Sequence, residues 1–160
     1  MGKKSGFTLI ELLVVISIIS ILTIISVSQF NTAKIKAVDT QRKSDIDSVY
    51  KAVNLYYADY GRVADQYRVA WGSEFNENGV GSYIYMKKVP EETKLVQFCY
   101  LPNTDRTSYI ILGNMEGVGM TTGDYTVNSL GCDGTAYNYA IPSPNETVTS
   151  FCSAYASCSE

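Results

Sequence analysis

Between Lys4 and Lys34 the chain carries a single charge, the carboxylate of Glu11, set in a run (residues 7–27) that reads FTLIELLVVISIISILTIISV. A carboxylate inside a helix that otherwise suits lipid costs a few kcal/mol and is usually retained for a partner. The second chemistry-bearing set is Cys99, Cys132, Cys152 and Cys158. An even number of cysteines, widely spaced behind an export-type segment, favours disulfides in an oxidising compartment. A zinc site would show short ligand pairs, and only Cys152 and Cys158 are close in sequence. More than one connectivity is open. The preferred one joins Cys99 to Cys132, tying a strand to an irregular stretch, and Cys152 to Cys158, closing a small terminal loop. Histidine is absent, which removes the commonest general base, triad partner and zinc ligand together. With no nucleophile–base pair, metal-ligand cluster or phosphate loop either, a chain without catalysis of its own is expected.

These residues need elements to hold them. The apolar run is about one bilayer's worth of helix, since roughly 20 residues span the hydrocarbon core. Lys3 and Lys4 in front are matched by Lys34, Lys36, Arg42 and Lys43 behind, so the positive-inside rule leaves orientation open. Beyond the run, Ile35, Val38, Ile46, Val49, Val53, Tyr56 and Tyr60 recur at helical spacing, with Lys36, Asp39, Arg42, Lys43, Asp47 and Lys51 between them. No Gly or Pro interrupts the chain between Gly6 and Gly61, so anchor and stripe form one helix, about Phe7 to Tyr60, with Gly61 as its stop.

From Arg62 to Gly81 a polar surface loop is expected, pinned by Trp71 and Phe75. Strand-like runs follow at Ser82–Met86, Leu95–Leu101 and Thr107–Leu112, separated by turns at Pro90-Glu91-Glu92 and Pro102-Asn103-Thr104-Asp105. They predict one antiparallel sheet whose apolar face is covered by the helix. Residues 113–134 are rich in glycine and read as irregular, Thr135–Ile141 as a last strand, and the end beyond Pro142 and Pro144 as a Ser/Thr-rich tail. The expected fold class is α+β: a long N-terminal helix packed on an antiparallel sheet of three or four strands. The thirteen tyrosines, Tyr50, Tyr56, Tyr83 and Tyr109 among them, are read as core and rim packing. Asn145-Glu146-Thr147 matches a glycosylation acceptor, a motif short enough to arise by chance.

With 160 residues, 46% of them hydrophobic, the chain has room for one domain of roughly 100 residues beyond its N-terminus. A formal charge of −3 gives no basic surface of the kind that binds nucleic acid. Arg62, Arg68, Lys87 and Lys88 are the places where a local basic loop could form.

Read from its start, Lys3-Lys4-Ser5-Gly6-Phe7-Thr8-Leu9-Ile10-Glu11 resembles the class III signal sequence of type IV prepilins and type II secretion pseudopilins. The resemblance is close from Lys3 to about Val27 and architectural beyond it. It implies a pilin-like fold, with residues 1–6 as a cytoplasmic leader, 7–28 as a transmembrane and filament-core helix, and 29–160 as the amphipathic half of the helix plus a globular domain. It further implies cleavage between Gly6 and Phe7, N-methylation of Phe7, and a role for Glu11 in register and recruitment during assembly. Cleavage would free the amine of Phe7, a cation that could pair with Glu11 across neighbouring subunits. Removing Lys3 and Lys4 would also leave 11 basic against 16 acidic side chains, taking the charge to −5. Major pseudopilins often hold calcium in late loops, and Glu116, Asp124, Asn128 and Asp133 offer hard oxygens here. Their spacing follows no regular ligand pattern, and turn formation explains such residues equally. Many pilins carry a proline or glycine partway down the anchor helix, whereas this one has only Ser17, Ser20, Thr23, Ser26 and Ser28.

The expected function is therefore that of a structural subunit of an extracellular type IV pilus-like filament. A pseudopilin of a type II secretion system shares the same N-terminus. The expected partners are further copies of the chain, a prepilin peptidase and methylase, an assembly ATPase with its membrane platform, and inner-membrane lipid before assembly. The chain would start in the cytoplasmic membrane, N-terminus inside, and end in an extracellular filament or periplasmic pseudopilus. No cofactor is expected beyond the calcium alternative, and no nucleic acid. The rival from another class is a signal-anchored extracytoplasmic binding domain, for which Ser26-Val27-Ser28 could serve as a small-x-small cleavage site.

Overall fold

The computed structural model describes residues 6–77, 83–92, 98–117, 125–129, 132–154 and 158–159; the side chains of 25–28, 125–129, 133–136, 152–154 and 158–159 lie outside that description. One helix, α1, runs over Leu9–Tyr60. It ends where Gly61, at φ 65°, turns into the left-handed region while its N–H still reaches the Tyr57 carbonyl at 2.8 Å. The chain divides into two units, residues 1–38 and 39–160.

In the second unit Ile46, Val49, Ala52, Val53 and Tyr56 of α1 are buried. They pack in one cluster with Phe98 and with Tyr100, Tyr109 and Ile111. The last three belong to β3 (Cys99–Pro102) and β4 (Tyr109–Gly113), which pair antiparallel with Tyr100 opposite Ile111. Strand alternation sends Cys99, Leu101, Ile110 and Leu112 to the other face. There they join Cys132, Tyr137 and Phe151. All five residues of β4 are buried, because this central strand is covered on both sides.

The third strand of that sheet is β7 (Tyr139–Pro142), antiparallel to β4, so the α+β prediction of a long helix on a three-stranded antiparallel sheet holds. Three details differ. The run at 82–86 contributes β2 (Ile84–Met86) to a separate two-stranded sheet with β1 (Phe75–Asn76), Phe75 being fully buried. The stretch read as irregular contains β5 (Tyr125–Ser129) and β6 (Cys132–Tyr137), which pair with each other, while the other edge of β5 pairs with β8 (Cys158–Ser159). The single last strand expected over 135–141 is instead split at Asn138 between β6 and β7. The Asn138 amide clamps Met115 from both ends, accepting its N–H at 2.7 Å and donating to its carbonyl at 2.9 Å. A short helix, α2 (Val148–Ala154), follows, capped by Thr147, whose hydroxyl accepts the Ser150 N–H at 3.1 Å.

Gly113 marks the tightest approach of sheet to helix. A Cβ there would stand 2.6 Å from Ile46 Cδ1 and 3.3 Å from Phe98 Cδ1. Gly113→Ala is therefore expected to destabilise by about 1–3 kcal/mol through overpacking. Adding Ile46→Val, which removes the clashing methyl, should recover part of that loss in a thermal-unfolding double-mutant cycle. Purely additive penalties would show that the contact is not the cause.

Candidate functional site

The residues singled out at the N-terminus lie together at the start of α1. Thr8 is the N-cap: its carbonyl accepts the Leu12 N–H at 3.3 Å and its hydroxyl accepts the Glu11 N–H at 3.3 Å. Glu11 answers, with Oε2 accepting the Thr8 N–H at 2.8 Å and the Thr8 hydroxyl at 2.7 Å. This reciprocal arrangement is a capping box, a use of Glu11 that sequence reasoning missed although Thr8-x-x-Glu11 is its signature. Oε1 of Glu11 takes no hydrogen bond among the described residues. Gly6 lies just upstream in open space, with nothing within 4 Å of where a Cβ would sit.

The helix that follows is apolar on every side. Phe7 is 86% exposed, and from Leu9 to Ile24 no large apolar side chain is less than 47% exposed. Its hydroxyls are satisfied internally: Ser17, Ser20 and Thr23 each donate to the carbonyl four residues earlier at 2.7–2.8 Å. The helix is long and apolar enough to cross a membrane. Residues 1–27 match the family described as the prokaryotic N-terminal methylation motif. The N-terminus is a prepilin-type signal. No curated protein and no solved structure matches the chain. The prepilin-type signal thus covers the leader, the site and the apolar half of α1, and it fits a membrane-anchored precursor.

The remaining candidates are placed less uniformly. Cys99 and Cys132 form the preferred disulfide, Cα to Cα 5.4 Å across 33 residues. The side chains of Cys152 and Cys158 lie outside the described residues. Of the calcium candidates, Glu116 is engaged elsewhere, bonded to Arg42 at 2.9 Å. Asn128 and Asp133 stand opposite each other in the β5–β6 pairing, but their side chains, like the whole of Asp124, lie outside the description. Among the described residues no group of metal-binding side chains converges. Lys88, one of the four basic candidates, is paired with Glu91 at 3.8 Å.

The structure also assembles a cluster from two of the polar residues that stand between the apolar positions of the stripe. Asp39 is fully buried and Arg42 is 3% exposed. The guanidinium meets Asp39 at 3.1 Å, Glu92 at 2.7 Å and Glu116 at 2.9 Å. Asp39 also accepts the backbone N–H groups of Glu116 at 2.9 Å and Gly117 at 2.7 Å. Burial opposes the charge on Arg42, yet the bonds to Glu92, Glu116 and Asp39 hold its pKa above the ordinary value. The available signal was spacing: positions 39 and 42 continue the stripe of 46, 49, 53 and 56 at alternating steps of three and four.

Buried tyrosines give the second unit an alkaline limit. Burial pushes the Tyr100 and Tyr109 phenols well above their usual value of 10.0. Tyr100 donates to the Ala64 carbonyl at 2.9 Å, and Tyr109 to Asn54 at 3.0 Å. A pKa raised on folding means the folded state holds its proton longer. The stabilisation is therefore complete below the unfolded value near 10 and is lost as pH rises above it. Tyrosinate absorbance should show these two phenols ionising together with cooperative unfolding. Their ionisation at the ordinary value in a folded chain would refute this.

Proposed function

We propose that the chain is a structural subunit of an extracellular type IV pilus-like filament, cleaved after Gly6, methylated at Phe7 and assembled through its N-terminal helix. The observation that carries this reading is the methylation motif over residues 1–27, running into an apolar helix that carries one carboxylate. The exposed helix supports it, since apolar surface on every side needs lipid before assembly and neighbouring helices after it. The partners are further copies of the chain, a prepilin peptidase and methylase, and an assembly ATPase with its membrane platform. The work of the chain is assembly, with neither catalysis nor a cofactor.

Mass spectrometry of the N-terminal peptide from material sheared off cells tests this directly. A peptide beginning at methylated Phe7 is expected. A chain beginning at Met1, or cut near Ser28, would leave an anchored or secreted binding domain. Methylated chain confined to the periplasm would indicate a secretion pseudopilin instead.

Glu11 supplies an independent prediction. Once Phe7 has a free amine, the open Oε1 of Glu11 can take it, and a subunit docked at another stagger would bury the charge unpaired at a cost of several kcal/mol. Glu11→Ala is expected to leave the membrane-inserted chain and its 39–160 unit intact while abolishing the sheared fraction, read by immunoblot of the two fractions. An undiminished sheared fraction would refute the role.

A further inference from the structure

Just past its apolar run, α1 carries a second kind of surface. A membrane span of roughly 20 residues that starts at Leu9 ends near Ser28. The helix continues without a break through Gln29-Phe30-Asn31-Thr32-Ala33-Lys34-Ile35-Lys36. Phe30 is 70% exposed, and Asn31 and Lys34 are exposed as well. At about 100° per residue, Phe30, Asn31 and Lys34 fall on one side of the helix, while Lys36, turned about 200° from Lys34, falls on the other. Among the described residues neither the Asn31 amide nor the Lys34 ammonium has a hydrogen-bond or ion-pair partner.

Height and direction both bring Lys34 to a headgroup layer. Its Cα stands about 9 Å beyond the end of that span, at about 1.5 Å per residue, and the polar layer on each side of a bilayer is roughly 5–7 Å deep. Helical side chains lean toward the N-terminus. A lysine that follows the span therefore leans back over the bilayer, and its apolar stem lets the ammonium reach the level of the phosphates. Phe30, one turn below, lies where aromatic rings gather at the membrane boundary. The local charge is uncompensated, since Lys34 and Lys36 are the only ionisable side chains between Glu11 and Asp39. Asp39 itself is buried and answered by Arg42 and by the N–H groups of Glu116 and Gly117.

We propose that the face formed by Phe30, Asn31 and Lys34 is a binding site for an anionic phospholipid, in the leaflet that α1 leaves at its C-terminal end. The Lys34 ammonium and the Asn31 amide N–H groups meet the phosphate, and Phe30 meets the first methylenes of the acyl chains. A zwitterionic lipid brings its own cation beside the phosphate and leaves Lys34 little to neutralise, whereas a lipid of net negative charge does not. Lys34 favours the anionic lipid about fivefold, the usual weight of one basic side chain at an anionic surface. The contact pins the depth of the helix in the bilayer. It needs the helix to cross a membrane, for which it is long and apolar enough, and it stands whether or not the chain polymerises.

The test replaces Phe30 by the photoreactive benzoylphenylalanine in the full-length chain, reconstituted in vesicles of equal parts phosphatidylglycerol and phosphatidylcholine. Mass spectrometry after irradiation reads which lipid is attached at that position. Phosphatidylglycerol adducts should predominate about fivefold. Lys34→Gln should bring the two lipids close to parity, while Lys36→Gln, on the far side of the helix, should leave the preference in place. Salt at about 1 M, where the screening length is about 3 Å, should also remove the preference. Equal adducts in the parent chain, no lipid adduct at all, or the same effect from both lysine variants overturns the proposal. Loss of the preference to inorganic phosphate at constant ionic strength would assign the site to free phosphate and overturn it as a lipid site.

Discussion

Arg42→Met is expected to lower the stability of the 39–160 unit by about 3–5 kcal/mol, the range for removing one partner of a buried ion pair. The size follows from what is left behind. Asp39, fully buried, would keep its charge with only the N–H groups of Glu116 and Gly117 to answer it, while Glu92 and Glu116 would lose their cation. Arg42→Lys should fall between, because an ammonium is a single point charge and cannot present the fork that reaches three carboxylates at once. Denaturant unfolding of the three proteins provides the comparison. A methionine variant within about 1 kcal/mol of the parent would mean that the network is replaceable by ordinary packing, as some buried ionic clusters are.

Replacing Cys99 and Cys132 together by serine is expected to cost about 3–4 kcal/mol, the loop-closure value for a bridge spanning 33 residues. The bridge joins β3 to β6, so it ties the main sheet to the hairpin covering its second face. Hydrogen exchange should therefore rise first in β5 and β6 and only later in β4, whose neighbours on the α1 side remain. Uniform loss of protection across the unit would show that the two layers unfold together whatever links them.

The elements set by local chemistry were legible in the sequence. The helix could be read because nothing between Gly6 and Gly61 can break it, and its stop because Gly61 can take a positive φ. The turn at 102–105 announced itself through Asn103, whose side-chain oxygen accepts the N–H groups of Thr107 at 2.8 Å and Ser108 at 3.1 Å. Long-range pairing was not legible. Phe75 looked like an isolated anchor, and only its pairing with Met86 makes it a strand. The β5–β6 hairpin was hidden by the glycines around it. Asp39 and Arg42 read only as polar residues between the stripe positions, and the partners that bury them lie 50 to 77 residues away.

The reciprocal cap between Thr8 and Glu11 has a bearing on timing. Among the described residues, every hydrogen bond that closes the start of α1 comes from residue 8 or later. A cut between Gly6 and Phe7 would remove none of them. On the proposed reading, trimming and closure of the helix start would then be uncoupled, and the capped chain would wait in the bilayer for as long as the leader stays on. Under the proposed processing the cut would take away Lys3 and Lys4 and convert a neutral amide into an ammonium at a helix end already in place. On the proposed reading, maturation would change the charge at this helix end and leave its described hydrogen bonds in place, so that supply of subunits would be regulated by a protease alone, with no rebuilding of the cap between the cut and their use.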